Sequence, residues 1–452
     1  MTAVDGNPRQ ALGAATLGFF AGFASVALFG VTAKEFQGAM NLSPLLVGFL
    51  VATPALTGSL LRIPFAAWVD TTGGRKPFLT LLVLSVIGMA GLTGLTLALY
   101  PDRLTAGLYP LVLLLGALSG CGIATFSVGI GQVSYWFPHK KQGKALALYA
   151  GVGNLAPGIF SLLLPFALRW VGLAGAYLAW LAFLVLGTLL YFWYGRNAWY
   201  FQLRSQGIEP ERARELAREQ GQELFPTGNL KQSLQTSAGI WRTWALVWIY
   251  FTTFGGFVAL TAWLPTYWTS FFGVSAIAAG LLTALYSVFA SLVRIVGGVL
   301  SDELREGGEN TAILALFVML FGAMVMTTTD RFELALPGVI LMAWGMGIGN
   351  AAVFKLVPKE IPKAVGGAAG WVGGLGAFGG FAIPPMLGFA VSDLGKPGYA
   401  IGYVVFIYFA LLALTMTWIL KYAPEETPRA EVASAGENPG GATAPVRQPP
   451  GN

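Results

Sequence analysis

Apolar residues run through this chain in long unbroken stretches, with polar residues gathered in short segments between them. Twelve stretches reach about 20 residues, the length an α-helix needs at 1.5 Å per residue to cross a hydrocarbon layer of ~30 Å. They lie near 11–33, 44–68, 77–99, 107–135, 144–168, 174–195, 243–267, 275–300, 310–328, 335–357, 365–391 and 398–420. The pattern predicts an all-α membrane protein of twelve transmembrane helices. Only a short polar stretch with Arg9 precedes the first run, and no convincing small-residue cleavage site follows it. That run reads as a retained helix and not as a signal peptide.

One polar interruption is much longer than the rest. Residues 197–242 separate six runs from six, and within them Glu211/Glu215 and Arg214/Arg218 sit at helical spacing, as expected of a solvated helix. The predicted organisation is a cytoplasmic N-terminus (1–10), a first six-helix half (11–196), a cytoplasmic linker (197–242) and a second half (243–421). A tail rich in Pro, Gly, Ala and Glu (422–452) is expected to be disordered.

The halves echo each other. GSLLRIPFAAWVD at 58–70 aligns with ASLVRIVGGVLSD at 290–302, an offset of 232 residues. YWFP ending at Pro138 aligns with KLVP ending at Pro358, an offset of 220, and each precedes a glycine-rich helix. Paired halves with a ligand site between them near the membrane midplane are a common transporter design.

Charge orients the chain. Only 11% of residues are charged, against about 25% in soluble domains. Of 27 Lys and Arg residues, 19 fall on the side that holds both termini and five on the other. The positive-inside rule places both termini in the cytoplasm. The net charge of +6 is therefore a topology signal, not a nucleic-acid footprint. A single Cys excludes an internal disulfide, a single His (His139) excludes an imidazole cluster, and no metal or cofactor motif is present. The 60 glycines, roughly twice average usage, suit helices packed closely in lipid.

Three basic residues remain, Arg62, Arg294 and Lys355, all inside predicted spans. Arg62 and Arg294 occupy equivalent places, each eight residues before an aspartate, hence about 12 Å deep. A lone charge at that depth is expensive, and arginine cannot shed its proton. No Asp or Glu falls deep in a predicted span, so a mobile anion is the natural counter-ion. The planar guanidinium fork suits a planar oxyanion. Lys355, three residues before Pro358, fits two readings equally: a snorkelling side chain or part of the anion path.

Asp70-Thr71-Thr72-Gly73-Gly74-Arg75-Lys76 resembles the cytoplasmic loop motif of the major facilitator superfamily, which speaks to fold and not to substrate. LLRIP (60–64), FSVGIGQVSYWFP (126–138), KALALYAGVGNLAPG (144–158), YFTTFGGF (250–257), GNAAVFKLVP (349–358) and GGAAGWVGGLGAFGG (366–380) together resemble the nitrate/nitrite porter family. The resemblance covers nearly the whole membrane region, in order. It implies that Arg62 and Arg294 clamp the anion, that Asn154 adds a polar contact, and that Phe126, Tyr250 and Phe254 line or close the site. Gly151, Gly153, Gly158, Gly373, Gly374, Gly376 and Gly379 fall in the paired signature helices, where they would let spans 5 and 11 slide against neighbours. Asp70, Gly74 and Arg75 belong to the loop motif. The second signature has Gly374 where the first has Asn154, so the polar contacts need not be symmetric.

The expected function is alternating-access transport of nitrate, and of nitrite, across the cytoplasmic membrane by a monomer in the lipid bilayer. Asp70 and Phe354-Lys355 resemble the proton-coupled branch of the family and tilt the reading towards symport. Nitrate/nitrite exchange is the alternative, because no membrane carboxylate or histidine offers a conventional proton relay. An anion channel and a porter for larger organic anions are further alternatives. The chain shows no buried acid/base pair, nucleophile elbow or metal cluster, and it is not read as an enzyme.

Overall fold

A computed structural model describes residues 4–226, 230–304 and 307–423. The expected disordered tail lies almost wholly outside them. Among the described residues, eleven helices are long and apolar enough to cross a membrane. One of these, Lys140–Tyr194, has 55 residues, about 80 Å at 1.5 Å per residue and far more than one crossing needs. Gly172 interrupts it with φ 66° and ψ −178°, a conformation open to glycine and strained for other residues. Spans 5 and 6 meet there, which makes twelve.

The other spans are span 1 (Pro8–Met40), span 2 (Pro44–Thr72), span 3 (Arg75–Leu99), span 4 (Ala106–Trp136) and span 7 (Trp241–Phe271). Span 8 (Ala276–Glu303), span 9 (Gly307–Thr328), span 10 (Phe332–Glu360), span 11 (Pro362–Leu394) and span 12 (Gly398–Tyr422) complete the set. Their starts are written locally. The Asn7 side chain accepts from the backbone N–H of Gln10, and Ser275 accepts from that of Ala278, each satisfying a donor that a first helical turn leaves free. Large apolar side chains such as Ile295, Phe389 and Trp418 lie exposed on the outer helix surfaces, as a lipid-facing girdle requires. Span 1 runs beyond its apolar stretch through Lys34 and Glu35 to Met40, because polar residues at a helix end can face water without ending it.

The linker holds three short helices, Trp199–Ser205, Pro210–Glu219 and Leu230–Ala238. In the second, Arg214 pairs with Glu211 and Arg212 with Glu215, both three residues apart on one turn. The loop motif is anchored to the start of the linker. Gly73 has φ 77°, and the Asn197 amide bridges the turn, donating to Thr72 O (3.0 Å) and accepting from the Arg75 N–H (2.9 Å). Arg75 in turn donates to Phe192 O at 2.8 Å.

The two halves meet unequally at their two ends. At the end away from the linker, the far face, backbones touch. A Cβ on Gly48 would lie 2.6 Å from Pro384 O, and one on Gly388 would lie 2.5 Å from Pro44 O. The backbone N–H of Leu45 also donates to Ser392 Oγ at 3.0 Å, and Lys34 Nζ donates to Thr269 O at 3.3 Å. Towards the linker face a cavity of about 220 Å³ separates the halves, whereas the far face is closed between spans 2 and 11 and keeps a cavity of its own between spans 1, 5, 7 and 8. Asp70, Phe126, Ile130, Phe354 and Gly370 line the linker-side cavity, together with Leu234 of the third linker helix. That helix is tied to span 11, where the Gly367 N–H donates to Ser233 Oγ (2.9 Å) and Trp371 Nε1 donates to Leu234 O (3.0 Å).

Candidate anion site

Four spans lose regular α-helical geometry at the same place. Span 2 has a turn at Leu61, span 5 breaks at Leu155, and π-helical segments run through Phe251–Gly255 in span 7 and Val372–Gly376 in span 11. A π-segment or a break frees backbone groups and redirects side chains, and such features recur at functional sites. Here they surround one small polar centre.

Arg62 opens the second part of span 2, just after its break. It is 1% exposed, and its guanidinium is fixed from several sides. Nε donates to Gly58 O at 3.0 Å, and Nη1 donates across the interface between halves to Gly373 O at 3.2 Å. Phe126 and Phe254 pack beside it, each with its ring centroid 5.0 Å from the guanidinium carbon. The two rings lie 6.4 Å apart with their planes 24° from parallel, so both pack on one side of the cation, within cation–π range. Nη2 is buried without any partner. Among the described residues, no carboxylate pairs with Arg62 or Arg294.

Tyr250 stacks on Phe254, with centroids 4.9 Å apart and planes 1° from parallel. Its hydroxyl lies close enough to both Arg62 and Arg294 to interact with each, yet it makes no hydrogen bond of good geometry. Arg294, half-buried, shares a space of about 10 Å³ with Asn154, Phe254, Ser291 and Asn350. That is room for about one water, so a larger anion is admitted only when these walls part. The side-chain oxygens of Asn154 and Asn350 are buried with no partner. Four spans thus bring unspent polar groups to one point: two donors that an anion can satisfy, Arg62 Nη2 and the Tyr250 hydroxyl, and two acceptors, the Asn154 and Asn350 oxygens, that need a donor instead. Buried polar groups are normally satisfied, so the cluster is built for something that supplies the missing bonds.

The signature glycines explain how the aromatic groups reach this point. A Cβ on Gly376 would lie 2.7 Å from the Tyr250 ring, and one on Gly379 would lie 2.6 Å from Phe251 O. Gly374 faces Ile63, and Gly158 faces Val288 across the interface between halves at 2.8 Å. Gly153 receives the Phe19 ring, whereas Gly151 faces open space. Gly373 contributes its carbonyl to Arg62. In this conformation the glycines seat rings and backbones closely against one another.

Lys355 stands apart. It is exposed at the linker face and pairs with Asp302, so it is not brought to the arginine pair. The 232-residue offset relates Asp302 to Asp70, and the 220-residue offset relates Lys355 to Tyr135. The Tyr135 hydroxyl donates to Asp70 at 2.5 Å, so each half ties its span-end aspartate to the same position of a neighbouring span. Gly74 packs on Gln132 beside this tie.

Sequence reasoning missed Asn350 and Ser291. The Ser291 hydroxyl donates to Asn154 O at 3.1 Å, joining spans 8 and 5 across the halves. A polar residue in an otherwise apolar span is the signal that could have found both.

Comparison with known proteins agrees with this geometry. The chain matches the Major Facilitator Superfamily over residues 15–384. It is 31% identical over 438 residues to the "Probable nitrate/nitrite antiporter NarK1" of Thermus thermophilus, covering 91% of each chain. It is 26% identical over 411 residues to the "Probable nitrate transporter NarT" of Staphylococcus epidermidis, covering 90% of this chain and 95% of that one. Among solved structures, the xylose transporter XylE from E. coli, in a partially occluded inward-open conformation, superimposes with a TM-score of 0.71 at 18% identity. That match covers 93% of this chain and 98% of XylE, and it bears on the fold alone. With twelve spans in two related halves and these relatives along nearly its full length, the chain belongs to the nitrate/nitrite porter family of the major facilitator superfamily.

Proposed function

We propose that this protein carries nitrate and nitrite across the cytoplasmic membrane by alternating access, with the anion held between Arg62 and Arg294. The observation that carries the reading is the arginine pair, Arg62 fully buried and Arg294 half-buried, with no carboxylate paired to either among the described residues and with the Arg62 Nη2 and Tyr250 hydroxyl donors unspent. The fixed guanidinium of Arg62 favours a small planar anion through directed bonds, and the aromatic walls leave little room for a larger one. The linker face corresponds to the cytoplasm under the positive-inside rule. The linker-side cavity is lined by Phe126 and Gly373, both of which touch Arg62, while the far-face cavity includes no residue of the arginine site, which makes this an inward-directed arrangement. Rocking the halves about the arginine pair would open the far face in turn.

Two couplings fit, and one observation favours each. Asp70, bonded to a neutral phenol, is the acidic residue on the wall of the linker-side cavity, which supports proton symport. The arginine site itself has no acid beside it, which supports exchange of two anions of equal charge. Nitrate uptake into proteoliposomes, with and without an inward proton gradient and with empty or nitrite-loaded vesicles, separates them. Gradient-driven uptake into empty vesicles establishes symport, and uptake that needs internal nitrite establishes exchange. No nitrate movement under either condition refutes the reading.

A further inference from the structure

The far face carries a second cavity, with charged residues on its wall, that the arginine site does not account for. It has a volume of about 390 Å³ and lies between spans 1, 5, 7 and 8, where the two halves meet. By volume it could hold on the order of ten waters, enough for an anion with part of its hydration shell. Beneath it the halves are sealed, with Gly30 against Ala262 O and Gly280 against the Pro165 ring. The cavity is therefore an antechamber, closed below in this conformation.

Its charge is not that of the surface around it. The far face as a whole carries five basic side chains (Lys34, Arg103, Arg169, Arg331, Lys396) and five acidic ones (Glu35, Asp102, Asp330, Glu333, Asp393), a net charge of zero. The cavity collects Lys34 and Arg169. Its acid, Glu35, accepts a hydrogen bond from the Tyr100 hydroxyl at the end of span 3, and the two cations against one carboxylate leave the cavity one positive charge in excess. Span 8 begins on the cavity wall at Ser275 and Ala276, so the positive end of a 28-residue helix adds to the field. Thr266 lines the same wall, 3% exposed, with a hydroxyl that has no partner.

We infer that this antechamber is a staging site for a small inorganic anion, which loads the central site from the far face. The inference rests on the anion-transport reading and adds a second site to it. Lys34 has two tasks here. In the closed state it is held by Thr269 O across the interface between halves; when the far face opens, that bond breaks and the ammonium turns to the anion. Arg169 acts through its charge alone.

Long-range attraction is identified by its salt dependence. The Debye length shrinks from about 30 Å at 0.01 M to about 3 Å at 1 M, whereas a packing role is indifferent to salt. The test is initial-rate nitrate uptake from the far face into proteoliposomes of the full chain, in low and high potassium gluconate. At low salt Arg169→Gln should raise KM about threefold, and the Lys34→Gln/Arg169→Gln double variant about tenfold, with kcat within a factor of two. Glu35→Gln should lower KM. At high salt the Arg169→Gln and Glu35→Gln values should converge on wild type. Any excess that persists for Lys34→Gln measures its bond to Thr269. A wild-type KM for Arg169→Gln at low salt, or a rise of equal size at both salts, overturns the staging site while leaving the transport reading intact. If the wild-type protein moves no nitrate, the transport reading fails and this inference fails with it.

Discussion

The two halves place an arginine at the same level of spans 2 and 8 and then treat it differently. Arg62 is fully buried, bonded to two carbonyls and packed against two aromatic rings. Arg294 is half-buried beside a cluster of amides and a serine. The first is a preorganised charge whose orientation is set before any ligand arrives. The second offers a more polar and adaptable surround, with Asn154 and Asn350 in reach. The same divergence recurs nearer the linker, where Asp70 bonds a phenol and Asp302 an ammonium. A repeated fold fixes where charges stand, and the residues that differ between the repeats assign each charge its task.

That comparison is open to mutation. Arg62→Lys should be the most damaging change, lowering kcat/KM for nitrate by at least about 100-fold, because an ammonium cannot replace the fork that faces both a carbonyl and the anion. Arg294→Lys should cost about tenfold, since the surrounding amides can adjust. Equal losses measured in proteoliposome uptake would show that the halves contribute alike.

Next comes the polar asymmetry. Asn154→Gly imports the residue found at Gly374, the matching position in the other half, and should raise KM about tenfold, the effect of one lost hydrogen bond to a charged group. Asn350→Ala should behave similarly if both amides meet the anion. Restoration of ordinary KM by an unrelated packing change would place the effect in structure instead. Removing one of the two aromatic contacts to Arg62, as in Phe126→Leu, should cost about fivefold, close to the ~1 kcal/mol of a cation–π contact.

The smallest effect is expected at the linker end. Lys355→Gln breaks an exposed pair with Asp302, and such pairs contribute little. Transport should change by about twofold or less, as should Lys355→Tyr, which copies the Asp70–Tyr135 tie of the other half. A loss of tenfold or more, measured by the same uptake assay, would put Lys355 in the anion path.

The reach of the sequence follows from which physical terms are local. Twelve spans, their division into halves and the depth of Arg62 and Arg294 are consequences of hydrophobic run length and helix rise, which need no partner to be evaluated. The glycine signatures could be located but not interpreted. What Gly376 and Gly379 accommodate, the Tyr250 ring and the Phe251 carbonyl, lies more than a hundred residues earlier in the chain. Lys355 shows the same limit. Its distance from Pro358 fits a snorkelling or a site-facing side chain, and only the position of Asp302 on the neighbouring span distinguishes them.

By itself, then, the sequence determined that this chain crosses a membrane twelve times, repeats its own design, and carries two charges that lipid cannot accommodate alone. Tertiary structure decided which carbonyls and rings hold Arg62, which amides stand beside Arg294, which end of the bundle is closed, and where Lys34 and Arg169 meet. The physical reason is that burial and helix formation are set by neighbours in sequence, whereas hydrogen-bond partners and electrostatic fields are set by neighbours in space.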